Sequence, residues 1–151
     1  MARIKLGDIF EIETAKGKAY LHYICKDKEL GELVRVLEGL YNERPASFDE
    51  LAGTPEAFMV FFPLSAANRR KIVEKVGNFS SDKYSKPKLM RTEHYVGREF
   101  QGWHIIDTNT WERKLIKKLS SNEKKLSPWG CWNDTLLIKN LEKGWNLEEW
   151  S

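Results

Sequence analysis

The sequence predicts an α+β protein that is mainly β, with a strongly curved antiparallel sheet or a small, partly open barrel of about six strands. Three observations support this. Short apolar segments of strand length recur, glycine and proline separate them, and one amphipathic run comes near the C-terminus. We therefore expect one or two short helices, including a C-terminal helix, in a single domain that spans residues 1–151.

The N-terminal part predicts a β-hairpin and a third strand. Residues 8–13 alternate between apolar and charged side chains, which is the pattern of a half-buried strand. A glycine-bearing turn follows, and residues 19–25 are aromatic and β-prone. Residues 33–41 could suit a helix, but the glycines around them favour a strand with a bulge near Gly39.

The middle of the chain predicts one short helix and several strands. Ser47 and Glu50 form a capping-box pattern that begins a helix over residues 47–51. The apolar run at 56–62 predicts a central strand covered on both faces, whereas residues 65–76 could form a short helix or an irregular excursion. Further strands are predicted at 89–95, 103–108 and 111–119, the last fading into a loop.

Residues 126–145, LSPWGCWNDTLLIKNLEKGW, are the most informative stretch. Asn133 and Asp134 predict a helix N-terminus, because a short polar side chain can accept an unpaired backbone N–H there. Tryptophan is large and apolar with one N–H that needs a partner, so Trp129 and Trp132 are candidate partner contacts. The neighbouring acid Asp134 is a third candidate. Core packing and helix capping are the alternative roles for these three residues.

Charge is unevenly distributed along the chain. The net charge is +3, yet residues 1–62 hold 8 basic and 11 acidic side chains, and residues 63–125 hold 15 and 7. The basic segment could contact phosphates or an acidic protein surface, or simply face solvent. Glu11 and Glu13 are candidate partner contacts in the acidic segment, and we expect them to lie on the solvated face of the first strand.

The sequence contains no signature of catalysis or of a cofactor. It lacks phosphate-loop, dinucleotide, zinc-protease and nucleophile-elbow motifs. His22, His104 and Asp107 could still converge in space, but we expect no enzyme activity, no cofactor and no metal. Cys25 and Cys131 are predicted to be buried thiols. The longest apolar run, residues 58–62, is far shorter than the roughly 20 residues of a membrane span, so a cytoplasmic protein is expected.

Nucleic-acid binding is one candidate function, because it needs a basic surface together with exposed aromatic rings. Trp111 or Trp129 could supply the ring, although no nucleic-acid-binding motif is present. The basic side chains considered for this role include Arg69, Arg70, Lys117 and Lys118.

Two stretches together resemble the immunity protein 26 family of bacterial polymorphic toxin systems. Residues 5–12, KLGDIFEI, with the turn and aromatic strand after them, are similar to the start of that family. Residues 126–137 and the later Gly144-Trp145 resemble its end, and residues 74–78, EKVGN, resemble a feature between the two.

The resemblance implies a protein that neutralises a cognate toxin by stoichiometric binding and needs no catalytic residues. It also implies that the partner is a protein toxin, whose activity could be that of a nuclease. Immunity proteins against nucleases are often acidic, and the basic segment of this chain departs from that pattern. If the toxin is a nuclease, the acidic segment with Glu11, Glu13, Glu29 and Glu32 is the expected contact face. Otherwise the toxin is of another kind, or its contact lies outside the cleft.

Overall fold

The computed structural model describes residues 3–151 and confirms a mainly β chain with a C-terminal helix. Its strands form two antiparallel sheets that do not close into a barrel. The first sheet has the order β4-β3-β2-β1-β5, with β1 (Asp8–Thr14), β2 (Gly17–Asp27), β3 (Gly31–Val36), β4 (Phe58–Phe61) and β5 (Val73–Asn78). The second has the order β6-β7-β8, with β6 (Leu89–Val96), β7 (Glu99–Asp107) and β8 (Arg113–Ile116).

The main core lies against one face of the first sheet. Buried side chains from β1, β2, β3 and β4 meet Leu137 of the C-terminal helix, while Trp132 and Trp145 pack at the margin of this core. Since alternate residues of a strand point to opposite faces, Ile9 and Tyr20 belong to a smaller cluster on the other face, with Phe48 and Ala52.

The second sheet is a meander of three strands. A tight turn at Gly97, where φ is 63°, joins β6 to β7. Gly102 lies within β7 opposite His94, and the register shifts between this pair and the next one, Tyr95 and Phe100, which marks a β-bulge. A Cβ atom on Gly102 would lie 2.3 Å from the carbonyl oxygen of Ile116, so only glycine permits this close approach of β8.

Residues 127–132 connect the edges of the two sheets. Arg91 of β6 donates its backbone N–H to Ser127 and accepts one from Trp129, at 3.0 and 2.7 Å. On the other side, Trp132 donates its N–H to the carbonyl of Phe61, and Met59 donates to the Ser127 hydroxyl, both at 2.9 Å. This segment therefore pairs with β4 and β6 together, which are edge strands in their own sheets.

Three α-helices occur among residues 3–151: α1 (Asp49–Gly53), α2 (Leu64–Arg69) and α3 (Asp134–Glu142). Of the two alternatives left open for residues 65–76, α2 confirms the short helix, which is followed by β5. The N-cap of α3 is confirmed, because the Asn133 side chain accepts the backbone N–H of Leu136 at 2.8 Å. The capping box of α1 is wrong, since Phe48 and not Ser47 occupies the N-cap position, and the Ser47 hydroxyl accepts only the N–H of Asp49, at 3.4 Å.

Two strand predictions are also wrong. β4 is an edge strand of the first sheet and not a central one, although Phe58, Val60 and Phe61 are all buried. Its apolar run reflects the cover that residues 127–132 and α3 give it. The chain near Gly39 lies beyond the end of β3, and the bulge in this pairing falls instead between Tyr23 and Cys25 of β2.

Cys25 and Cys131 are both free thiols, and the buried position predicted for them is wrong, because Cys25 is only partly buried and Cys131 is exposed. No helix in the described part of the chain has the length and apolar character needed to cross a bilayer.

The buried guanidinium of Arg35 on β3 holds α1 against the first sheet. It donates to the carbonyl oxygens of Ala52 and Thr54, each at 2.8 Å, and pairs with Glu56 at 2.7 Å. The guanidinium of Arg35 also donates to Nδ1 of His22, and His22 donates from Nε2 to the carbonyl of Phe79. Burial lowers the pKa of His22, which favours the neutral ring that this chain of bonds requires.

Replacing Arg35 with Met should lower the free energy of unfolding by about 3 kcal/mol, because buried carbonyls and the Glu56 carboxylate lose their donors. Chemical denaturation measures the change. Arg98→Met is the matched control, because Arg98 is exposed in the turn after β6 and should stay within about 0.5 kcal/mol of wild type. Equal stability of the two variants would contradict a structural role for Arg35.

Candidate partner-binding surface

A continuous series of aromatic rings runs from the tip of the β6–β7 hairpin to the main core. Successive ring centroids lie 4.9 to 5.8 Å apart, at the tilted or edge-to-face angles that aromatic pairs prefer. We call this series the aromatic ladder, and its members are, in order, Tyr95, Phe100, Trp103, Trp150, Trp145, Trp132 and Phe58.

The two ends of the ladder differ sharply in exposure. Tyr95 and Phe100 are 50% and 46% exposed, whereas Trp103 is only 4% exposed and Phe58 2%. Val96, the next residue along β6, is 61% exposed. We call Tyr95, Val96 and Phe100 the hairpin patch. Rigid packing behind this patch holds its rings in place without removing them from solvent.

Exposed apolar side chains are concentrated on the second sheet. Among residues 3–151, eight large apolar side chains are exposed, and five of them belong to β6, β7 or β8. A sixth, Trp111, lies in the turn between β7 and β8, which leaves Leu6 and Leu136 elsewhere. Single exposed apolar residues are ordinary, but their concentration on one sheet, with Tyr95 and Phe100 in ring contact, favours an interaction surface.

The buried guanidinium of Arg91 on β6 holds the C-terminal segment beneath the ladder. It donates to the backbone carbonyls of Lys124, Leu126, Leu147 and Trp150, and the first three distances are 3.0, 3.0 and 2.8 Å. The cation also lies 4.2 Å from the ring centroid of Trp150 and 4.8 Å from that of Trp103. Burial lowers the pKa of Arg91 to about 10, and the nearby Glu93 carboxylate only partly opposes this shift.

Glu93, one pleat further along β6, links the two parts of the ladder. One carboxylate oxygen accepts the indole N–H of Trp150 at 2.7 Å, and the other accepts the hydroxyl of Tyr95 at 2.6 Å. The exposed ring of the hairpin patch is thus tied to the C-terminal segment through one carboxylate.

The structure brings two of the three C-terminal candidates close together. Trp129 and Trp132 both line a cleft with Trp145 and Trp150, although each ring is also half-buried in a core cluster. The indole N–H of Trp129 is buried without a hydrogen-bond partner among residues 3–151. Asp134 begins α3, where its charge suits the positive end of the helix dipole, so helix stabilisation accounts for it.

The expectation that Glu11 lies on a solvated face is wrong. Glu11 is only 6% exposed and accepts two hydrogen bonds from Arg44 and one from Tyr20, at 2.9 to 3.1 Å. Hydrogen bonding from Arg44 is the main reason that its pKa is lowered. Glu13 is exposed and pairs with Lys18. The sequence cannot reveal this difference, because Arg44 lies 33 residues away.

The basic candidates divide between the two sheets. Arg69 and Arg70 are exposed at the C-terminal end of α2, which leads into β5 of the first sheet. Lys117 and Lys118 follow β8 and line a hollow of about 210 Å³, whose other lining includes Phe100, Trp103 and Lys124. The second pair therefore shares a hollow with two aromatic rings.

The histidines and Asp107 do not form a common site. His22 lies in the Arg35 network of the first sheet, while His104 stacks on His94 with ring centroids 4.3 Å apart. Asp107 accepts the backbone N–H groups of Asn109 and Thr110 in a turn. Within residues 3–151, no group of three or more His, Cys, Asp or Glu side chains is arranged to hold a metal ion.

Sequence reasoning missed the hairpin patch, Glu93 and Arg91. One signal for the patch was present: Tyr95, Val96 and Phe100 closely flank Gly97, and a tight turn projects such side chains away from a core. Nothing local marks Arg91, because its carbonyl partners lie 33 to 59 residues further along the chain.

Glu11→Gln should destabilise the fold by about 2 kcal/mol at neutral pH, because hydrogen bonds from a charged donor are lost. The folded-state pKa of Glu11 lies below the ordinary 4.5, so its contribution is present above 4.5 and is lost as the pH falls through the folded-state value. Unfolding measured across this range should show the two proteins converging at acidic pH. Glu13→Gln is the control, with little expected effect at any pH. If the free energies of unfolding of wild type and Glu11→Gln differ by the same amount at every pH, the lowered pKa of Glu11 is contradicted.

Comparison with known proteins adds no name to this surface. No family model, no curated protein and no solved structure matches the chain. The function is therefore inferred from the geometry and from the residues that carry it.

Proposed function

We propose that this chain is a non-catalytic immunity protein, which binds a cognate bacterial toxin through the hairpin patch and thereby blocks it. The observation that carries the proposal is the concentration of exposed apolar side chains on the second sheet. Aromatic residues dominate the binding free energy of protein interfaces, particularly when they are held rigidly before binding. The aromatic ladder supplies that rigidity here.

Charge around the patch favours an acidic partner surface. Arg98 lies in the hairpin turn itself, and the patch belongs to the basic segment 63–125. The acidic alternative has weaker support, because Glu11 is paired with Arg44, and Glu32 accepts the backbone N–H of Ser65 at 2.8 Å. A contact outside the basic cleft of a nuclease, or a toxin of another kind, agrees better with this distribution.

A nucleic-acid-binding module is the second candidate, and one specific observation favours it. Lys117, Lys118 and Lys124 surround the hollow beside Phe100 and Trp103, and none of them forms an ion pair within residues 3–151. Unpaired lysines next to an exposed ring could hold a phosphate and a stacked base. The cluster is small, however, and Arg69 and Arg70 do not extend it.

Replacing Phe100 with Ser should weaken toxin binding by about 30-fold, which corresponds to about 2 kcal/mol for one aromatic anchor. The tagged chain is used to capture its partner from lysate of its native cell, with and without nuclease treatment, and the affinity for the captured protein is then measured. Leu6→Ser is the matched control, because Leu6 is 55% exposed but lies outside the second sheet. We expect wild-type affinity for this control.

Two results would contradict the proposal. Equal affinities of Phe100→Ser and Leu6→Ser would show that the hairpin patch does not bind the toxin. Recovery of nucleic acid that carries all other species would favour the second candidate. In that case binding should weaken steeply with salt, and alanine at Lys117 and Lys118 should reduce the slope of log K against log salt by about 0.9 for each phosphate that is no longer neutralised.

A further inference from the structure

A cleft of about 210 Å³ lies beside the aromatic ladder, where β6, residues 128–132, α3 and the C-terminal segment meet. We call it the tryptophan cleft. Its lining includes Glu93, Trp129, Trp132, Asn140, Trp145 and Trp150. A second hollow of about 460 Å³ shares Glu93, Trp145 and Trp150 with it, so the cleft has an open approach from solvent.

The side chain of Asn140 is the first sign that this cleft receives a ligand. Asn140 lines the cleft and is only 5% exposed, and no hydrogen bond of its side-chain amide is found among residues 3–151. In this part of the chain the Trp129 indole nitrogen is the one side-chain polar atom that is fully buried without a partner, so the Asn140 amide keeps contact with solvent. This amide can therefore donate to, or accept from, an occupant of the cleft.

The carboxylate of Glu93 is the second sign. It accepts one hydrogen bond at each oxygen, from Trp150 and Tyr95, and both donors are neutral. Glu93 forms no salt bridge within the described residues, although each oxygen can accept a further hydrogen bond. The cleft thus presents a carboxylate that no cation of the described residues bonds directly, although the charge of Arg91, two residues earlier on β6, acts on it from nearby.

Two indole rings in the cleft, those of Trp132 and Trp145, are the third sign that it receives a ligand. Trp103, Trp129 and Trp150 each lie under an arginine of this chain. Trp132 and Trp145 carry no such cation among residues 3–151, and they meet edge to face with centroids 5.0 Å apart. A cation is attracted to the face of an indole ring, and it would also pair with Glu93 and donate to the carbonyl oxygen of the Asn140 side chain.

We propose that the tryptophan cleft binds the guanidinium group of an arginine side chain presented by the protein partner. A guanidinium is planar, stacks on aromatic rings and offers five N–H donors, which suits a carboxylate, an amide and two indoles better than an ammonium does. This proposal rests on the proposed function only in taking the partner to be a protein. The hairpin patch and the cleft then contact the same partner, joined through Glu93.

Titration with N-acetyl-arginine amide tests the cleft without the toxin. The protein is labelled with ¹⁵N, and the side-chain amide of Asn140 and the indole N–H groups of Trp132 and Trp145 are followed by NMR. The lysine and citrulline analogues are titrated in parallel, because citrulline has nearly the shape of arginine but no charge. We expect saturable shifts at these three side chains with arginine, weaker binding of lysine and no saturation with citrulline.

Two variants and one control make the test specific. Glu93→Gln should weaken arginine binding by about tenfold, the effect of losing one charge-assisted hydrogen bond. Asn140→Leu should also weaken it while keeping the volume of the side chain. Glu99→Gln is the matched control, because Glu99 is an exposed acid on the neighbouring strand β7 and does not line the cleft. Backbone spectra verify that each variant remains folded.

The proposal is overturned if arginine produces no saturable shift, if citrulline binds as well, or if lysine binds as tightly as arginine. It is also overturned if Glu93→Gln and Glu99→Gln bind arginine equally. Failure here would leave the hairpin patch and its Phe100→Ser test untouched. Conversely, arginine binding to the cleft would persist if that variant showed the proposed function to be wrong.

Discussion

The buried guanidinium of Arg91 is the interaction on which the second half of this structure depends. A fully buried cation is costly unless its donors are satisfied, and here backbone carbonyls of two separate segments, residues 124–126 and 147–150, satisfy them. The backbone of Arg91 also pairs with Ser127 and Trp129. One residue therefore holds β6 together with both the C-terminal segment and residues 127–132, which connect the two sheets. Removing it would leave several carbonyls buried without donors.

The position of the candidate surface follows from this constraint. The C-terminal segment has no sheet or long helix to hold it, so Trp150 takes its position from Arg91 below its ring and Glu93 at its indole N–H. Trp150 in turn supports Trp103 and borders the tryptophan cleft. The same network therefore keeps the exposed Phe100 rigid and leaves a carboxylate facing the cleft. Rigidity before binding reduces the entropic cost of association.

Local sequence patterns predicted the local structure well and the site only in part. Alternation in residues 8–13 and the Asn133 cap are signals within a few residues, and both features are present. The edge position of β4, the burial of Glu11 and the role of Arg91 depend on partners tens of residues away, which no local pattern encodes. Trp129 and Trp132 line the tryptophan cleft, and their role as partner contacts stays a prediction, while Glu93 of β6, the carboxylate beside them, was missed.

The central claim is that Arg91 holds the C-terminal segment and with it the aromatic ladder. The most direct test measures hydrogen exchange of the backbone and indole N–H groups in Arg91→Met and compares it with exchange in the control variant Arg98→Met. The account predicts that Arg91→Met loses protection at residues 147–151 and at the indole N–H of Trp150, while β1 and β2 stay protected. Arg98→Met should behave as wild type. Wild-type protection of residues 147–151 in Arg91→Met would contradict the account.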